Sequence, residues 1–115
     1  MSGVIHVGVS GARGRMGRAV GQVLDAREDL VVAARFDRGE TPDLALCDVV
    51  IDFSTPEASV ELARHVAERG GPALVIGSTG LTEDQEAEIT KAAEKVAIVR
   101  SGNFSLGVNI LVGLV

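Results

Sequence analysis

The sequence predicts an α/β domain, a doubly wound parallel sheet with helices on both faces. Three observations carry this. Short apolar runs alternate with helix-period segments five times along the chain. Apolar residues make up 46% of the 115, yet the only aromatic ones are three Phe, so the core is aliphatic, as in strands covered on both sides. The distinctive polar and glycine-rich turns all follow strands, at the edge where such sheets bind ligands. Crossovers between parallel strands are expected to be right-handed.

Residues 5–9 read as a buried parallel strand. Gly11, Gly14 and Gly17 follow at a spacing of three, and a helix begins with Met16, Val20, Val23 and Leu24 on one side. Strand, glycine-rich turn and helix are the setting of a dinucleotide-binding fingerprint. Gly11 lets the chain turn off the strand, Gly14 lets backbone approach a pyrophosphate, and Gly17 lets the helix pack closely. The first N–H groups of a helix lack partners within it, and its dipole favours an anion there. Arg13 and Arg15 add positive charge at the same place. The motif departs from plain G-x-G-x-x-G, because Arg13 occupies the slot between Gly11 and Gly14. A tight strand-to-helix connection with no ligand is the alternative.

After a polar break at 25–29, residues 30–36 form the second strand and end in Asp37-Arg38-Gly39. A Rossmann unit places an acidic acceptor for the adenosine ribose hydroxyls here, which suits Asp37. Arg38 suits a 2′-phosphate or the adenine face. A solvated charged turn is the alternative for both. Residues 40–47 are a connector containing Pro42, and 48–53 are the third strand. Thr55 reads as an N-cap, Pro56 as the first helical residue and Glu57 as a charge that complements the dipole. Gly70-Gly71 stops that helix, whose apolar stripe is Val60, Ala63, Val66 and Ala67. Residues 73–76 are the fourth strand, followed by the polar turn Gly77-Ser78-Thr79-Gly80. Thr82 to Gln85 spells a capping box whose helix runs to about Glu94. Residues 96–99 are the fifth strand, and 101–105 lead into a last helical run.

The net charge of −5, with no basic run, argues against nucleic acid or an anionic membrane as partner. Cys47 is alone, so no internal disulfide forms, which fits a reducing cytosol. The amino terminus lacks the pattern of a signal peptide, and no apolar run reaches membrane-spanning length. A cytoplasmic location is expected. His6 lies within a strand and His65 within a helix, away from strand carboxyl ends, and both read as structural or surface residues. No metal site is assigned.

Four segments in order carry a family resemblance: Gly11-Ala12-Arg13-Gly14-Arg15-Met16-Gly17, Val50-Ile51-Asp52-Phe53-Ser54-Thr55-Pro56-Glu57, Ile76-Gly77-Ser78-Thr79-Gly80-Leu81-Thr82 and Asn103-Phe104-Ser105-Leu106-Gly107-Val108-Asn109. Together they resemble the amino-terminal domain of bacterial dihydrodipicolinate reductases (4-hydroxy-tetrahydrodipicolinate reductases), in the diaminopimelate route to lysine. The resemblance implies a Rossmann domain for NADH or NADPH. It also implies a further domain that binds the cyclic dicarboxylate substrate and forms a homotetramer. Arg15 and Met16 match positions that touch cofactor phosphates and ribose, and Asp37 matches the acid on the adenosine ribose. Phe53 and the turn Gly77, Ser78, Thr79 and Gly80 match the nicotinamide side, with Ser78 where the family more often has Thr. Gly102, Asn103 and Phe104 match the loop beside the nicotinamide at the hinge.

The family's catalytic and substrate-binding residues lie in a His-His-x-x-Lys segment and a glycine-threonine loop, neither of which is in this sequence. No catalytic residue is therefore assigned here. Residues 1–103 are expected to be the cofactor domain and 104–115 the start of a hinge helix. A stand-alone NAD(P)-binding sensor, or the cofactor domain of another two-domain dehydrogenase, are the other readings.

Overall fold

The computed structural model describes residues 4–37, 40 and 43–100, and for Met16 the backbone alone. In chain order the elements are β1 (Ile5–Ser10), α1 (Arg15–Asp25), β2 (Leu30–Phe36), β3 (Val49–Asp52), α2 (Pro56–Arg69), β4 (Ala73–Ile76), α3 (Glu83–Ala92) and β5 (Ile98–Arg100). All strand pairs are parallel, and the sheet runs β2-β1-β3-β4-β5. The chain steps from β1 to β2 on one side, then returns past β1 to build outward through β3. Its direction of winding reverses between β1 and β3, the point where doubly wound sheets open a crevice.

Each face of the sheet carries its own core. On one face α1 contributes Val20 and Leu24, both fully buried, against Ile5, Val7, Val9, Leu30, Val49, Ile51 and Val75. On the other, α2 and α3 contribute Val60, Leu62, Ala63, Val66, Ile89 and Ala92 against Val50, Leu74 and Ile76. Each Val, Leu or Ile side chain among them stabilises by roughly 1.5–3 kcal/mol when fully buried. Strand β2 serves both cores. Its pairing with β1 jumps from Val7↔Val32 to Gly8↔Ala34, so Ala33 is an extra, bulged residue. One extra residue inverts the alternation of a strand. Leu30 and Val32 therefore join the α1 core, while Ala34 and Phe36 join the opposite one.

Residues 30–36 and 73–76 form strands at the bounds the sequence predicts, and Thr55, Pro56 and Gly70 start and stop α2 as expected. Other details differ: β1 runs on to Ser10, and α3 ends at Ala92 rather than near Glu94. Strand β3 is one residue shorter at each end. Val96 donates its N–H to Ala92 O and is buried against the end of α3, so β5 begins only at Ile98. Val23 is 37% exposed and leaves the α1 stripe to Val20 and Leu24. The expected run after Ser101, with Gly102, Asn103 and Phe104 and the domain boundary at 103, lies outside the described residues.

Candidate functional site: the cleft at the carboxyl edge

The turn after β1 is shaped by close backbone contacts. Gly11 has φ +79°, and a Cβ there would stand 2.9 Å from Phe53 O. Its N–H and that of Ala12 both donate to Phe36 O, at 3.0 and 3.2 Å, tying the turn to the end of β2. Gly17 packs so tightly on the turn that a Cβ would lie 2.0 Å from Gly11 O. Gly14 is the N-cap of α1, with no side-chain cap and no acidic residue in the first turn. The other two described helices are finished by their own side chains. Thr55 Oγ1 accepts from Ala58 N with Glu57 beside it, and Thr82 and Gln85 form the capping box. Among the described helices, α1 alone thus presents first-turn N–H groups beside the reversal point without an acidic or capping side chain of its own.

Three turns converge next to it. Phe53 follows β3 and donates its N–H to Ser10 O at 3.0 Å. Its ring lies on Gly77, where a Cβ would stand 2.1 Å from Cε1. Gly77 N donates in turn to Asp52 O at 2.7 Å.

Behind Phe53 lies a buried polar network. Asp52 is fully buried, and its carboxylate accepts from Ser54 N at 3.0 Å, from Ser54 Oγ and from Ser59 Oγ. Ser59 Oγ is 2.8 Å from Ser78 Oγ. With the Ser59 proton committed to Asp52, Ser78 donates to Ser59, with Ser54 O a longer contact at 3.4 Å. Every buried polar side-chain atom described has a partner. The network joins the end of β3, the first turn of α2 and the turn after β4. Ser78 points its hydroxyl inward, while Thr79 is exposed.

At the end of β2, Asp37 Oδ2 accepts from Arg13 N at 3.0 Å. Asp37 N donates to Glu40 Oε1 at 2.7 Å. The Arg13 guanidinium grips Glu40 with both Nη atoms, at 2.8 and 3.1 Å. Hydrogen bonds from Arg13, then from the Asp37 N–H, hold the Glu40 carboxyl below its ordinary value, and the bond to Glu40 holds Arg13 up. Arg13 was expected to add charge at the helix terminus. Its charge is instead paired with Glu40, because the turn after β1 directs the side chain toward the end of β2. Arg15 is exposed and has no ion pair among the described residues.

Of the residues expected at the site, the carboxyl edge brings together Gly11, Gly14, Arg15, Gly17, Asp37, Phe53, Gly77, Ser78 and Thr79. Arg38, the Met16 side chain and Gly102, Asn103 and Phe104 lie outside what is described. Sequence reasoning missed Glu40, Asp52 and Ser59. An acid inside an otherwise apolar strand is itself a signal, since a buried charge demands partners. His6 sits at the opposite edge, where its N–H donates to Asp48 Oδ2 at 2.8 Å. His65 lines a cleft at that amino edge with Asp43, Cys47 and Arg69. Burial pushes the Cys47 thiol up, away from the reactive thiolate. No metal-holding group of His, Cys, Asp or Glu occurs among the described residues, and no described helix is long and apolar enough to cross a membrane.

The fold and the glycine-built turn define a dinucleotide-binding domain of the doubly wound α/β class. The family profile described as dihydrodipicolinate reductase, N-terminus, matches residues 5–104, and the chain belongs to that family. A 4-hydroxy-tetrahydrodipicolinate reductase of Caulobacter vibrioides is 55% identical over all of this chain and 48% of its own length. One from Anaeromyxobacter dehalogenans is 39% identical over 93% of this chain and 48% of its own. The chain therefore spans about half the length of these curated relatives. Among solved structures, a dipicolinate-bound dihydrodipicolinate reductase from Paenisporosarcina sp. TG-14 superposes with TM-score 0.71 at 23% identity, covering 94% of this chain and 51% of that one. A response regulator, ChrA, reaches 0.67 at 21% identity over 96% of this chain and 56% of that one. At such identities these likenesses report the fold alone, and the second shows how widely the fold is shared.

Proposed function

We propose that this chain is the cofactor-binding part of a reductase that converts 4-hydroxy-tetrahydrodipicolinate to tetrahydrodipicolinate in lysine biosynthesis. The observation that carries the reading is the amino terminus of α1, glycine-built, uncapped and set at the reversal point of the sheet. The close approach at Gly11 and Gly17 leaves a cradle of backbone that suits a pyrophosphate, so the residues fit the group. Gly11, Gly14, Arg15, Met16 and Gly17 hold the phosphates, and Asp37 and Arg38 face the adenosine ribose. Phe53, Gly77, Ser78 and Thr79, with Gly102, Asn103 and Phe104, border the nicotinamide. When bound, the reduced nicotinamide supplies hydride. The chain's own residues would anchor the diphosphate at the amino terminus of α1 and border the ring with Phe53 and the turn after β4.

Either NADH or NADPH serves in this reading. Asp37 favours a free 2′-hydroxyl while Arg38 and Arg15 attract a 2′-phosphate, which gives dual use with a modest lean to NADH. The further domain of the family supplies the cyclic dicarboxylate site and the homotetramer, with residues 1–103 as the cofactor domain and 104–115 leading out of it, in a cytoplasmic protein. The test is titration with NADH and NADPH, following nicotinamide fluorescence or heat. Gly14→Val should abolish binding by blocking the pyrophosphate; unchanged affinity would reject the assignment. A preference beyond about a hundredfold, or ~2.7 kcal/mol, would reject the charge balance.

A further inference from the structure

We propose that Glu40 sets the choice between the two nicotinamide cofactors by withholding Arg13 from the 2′ position of the adenosine ribose. The inference rests on the cofactor reading above and concerns the same end of the cleft. Four hydrogen bonds close a ring across two turns: Arg13 N to Asp37 Oδ2, Asp37 N to Glu40 Oε1, and the two guanidinium bonds from Arg13 to Glu40. The ring joins the turn after β1 to the end of β2, beside the carboxylate assigned to the ribose.

A ribose with a free 2′-hydroxyl needs only an acceptor on Asp37 and asks nothing of the Arg13 side chain. A 2′-phosphate carries up to about two negative charges at neutral pH. Besides Arg38 and Arg15 of the cofactor reading, it meets two carboxylates, Asp37 and Glu40, and a further cation, Arg13, already held in a bidentate grip. To use Arg13 it must first draw it off Glu40. Arg13 is 68% exposed and Glu40 41%, so the swing buries and uncovers little. What opposes it is the ion pair itself. Glu40 therefore acts as a competitor for the cation, and its carboxylate biases the site toward NADH.

The experiment measures dissociation constants for NADH and NADPH with the unmodified chain, Glu40→Gln, Arg13→Gln and the double variant, at low and high salt. Glutamine keeps an acceptor for the Asp37 N–H, so the turn retains its shape while the charge is lost. The NADPH-to-NADH affinity ratio should rise about fivefold in Glu40→Gln, the scale of one exposed ion pair, and the rise should fade at high salt. With Arg13→Gln in place, the same change should move the ratio less than about twofold. An unchanged ratio in Glu40→Gln overturns the inference, and so does an equal rise in both backgrounds. If the unmodified chain binds neither cofactor, the cofactor reading itself fails.

Discussion

The ring of Phe53 occupies the space that any side chain at residue 77 would need. A Cβ on Gly77 would stand 2.1 Å from Cε1 and 2.4 Å from Cδ1 of that ring. The turn after β4 is thereby fitted to the residue that follows β3, and the two set one wall of the cleft together. Gly77→Ala should displace the ring and cost about 1–3 kcal/mol, as overpacking does. Urea unfolding measures this. In a Phe53→Ala background the same change should cost less than about 0.5 kcal/mol. An equal cost in both backgrounds would show that the strain lies elsewhere.

Gly14 and Gly17 should separate ligand binding from folding. Among the described residues a Cβ on Gly14 meets only Gly11 O, at 3.4 Å, whereas one on Gly17 would collide with Gly11 O at 2.0 Å. Gly14→Ala should leave the melting temperature within about 3 °C, near half a kcal/mol for a domain of this size. Gly17→Ala must move backbone, and a loss of more than about 2 kcal/mol is expected. Equal stability of the two variants would contradict the packing described.

The Asp52 network should behave as one unit. Ser59→Ala removes a donor from Asp52 and the acceptor of Ser78 together, and should cost about 1–3 kcal/mol. Ser78→Ala added to it should cost less than it does alone, because its hydroxyl has already lost its nearer partner and keeps only the longer contact to Ser54 O. Strict additivity of the two in denaturant unfolding would show that the serines act independently.

The Arg13–Glu40 grip gives a pH dependence of known sign. The Glu40 carboxyl is held below the ordinary 4.5, so its contribution is present above the unfolded value and lost as pH falls through the folded one. Carbon-detected NMR titration should give Glu40 a midpoint below 4.5, and Arg13→Gln should raise it. A midpoint at or above 4.5 in the unmodified chain would contradict the pairing.

Much of the fold was legible because its signals are local. Thr55 with Pro56, and Thr82 with Gln85, finish their helices within one turn, so short windows of sequence suffice. The bulge at Ala33 has no such signal. Leu30, Val32, Ala34 and Phe36 alternate evenly, and only the register with β1 reveals that they divide between two cores. Val96 reads as a strand residue by type, yet the tertiary environment uses it to close α3. At the site, the glycine spacing marked the turn after β1 directly. The partner of Arg13 lies 27 residues away in a stretch that looks like an ordinary connector, so no local pattern points to Glu40. Asp52 and Ser59 are joined only once β3 and α2 are in place.

The order of the sheet also fixes how it can be made on the ribosome. β2 pairs with β1 as soon as both have emerged, and β3 then adds to the free side of β1. β4 and β5 each extend the outermost strand already present. None of the described strands has to be inserted between two that are already paired. Synthesis from the amino terminus can thus build these five strands one at a time, with β3, β4 and β5 each covering an edge left open by a strand already in place.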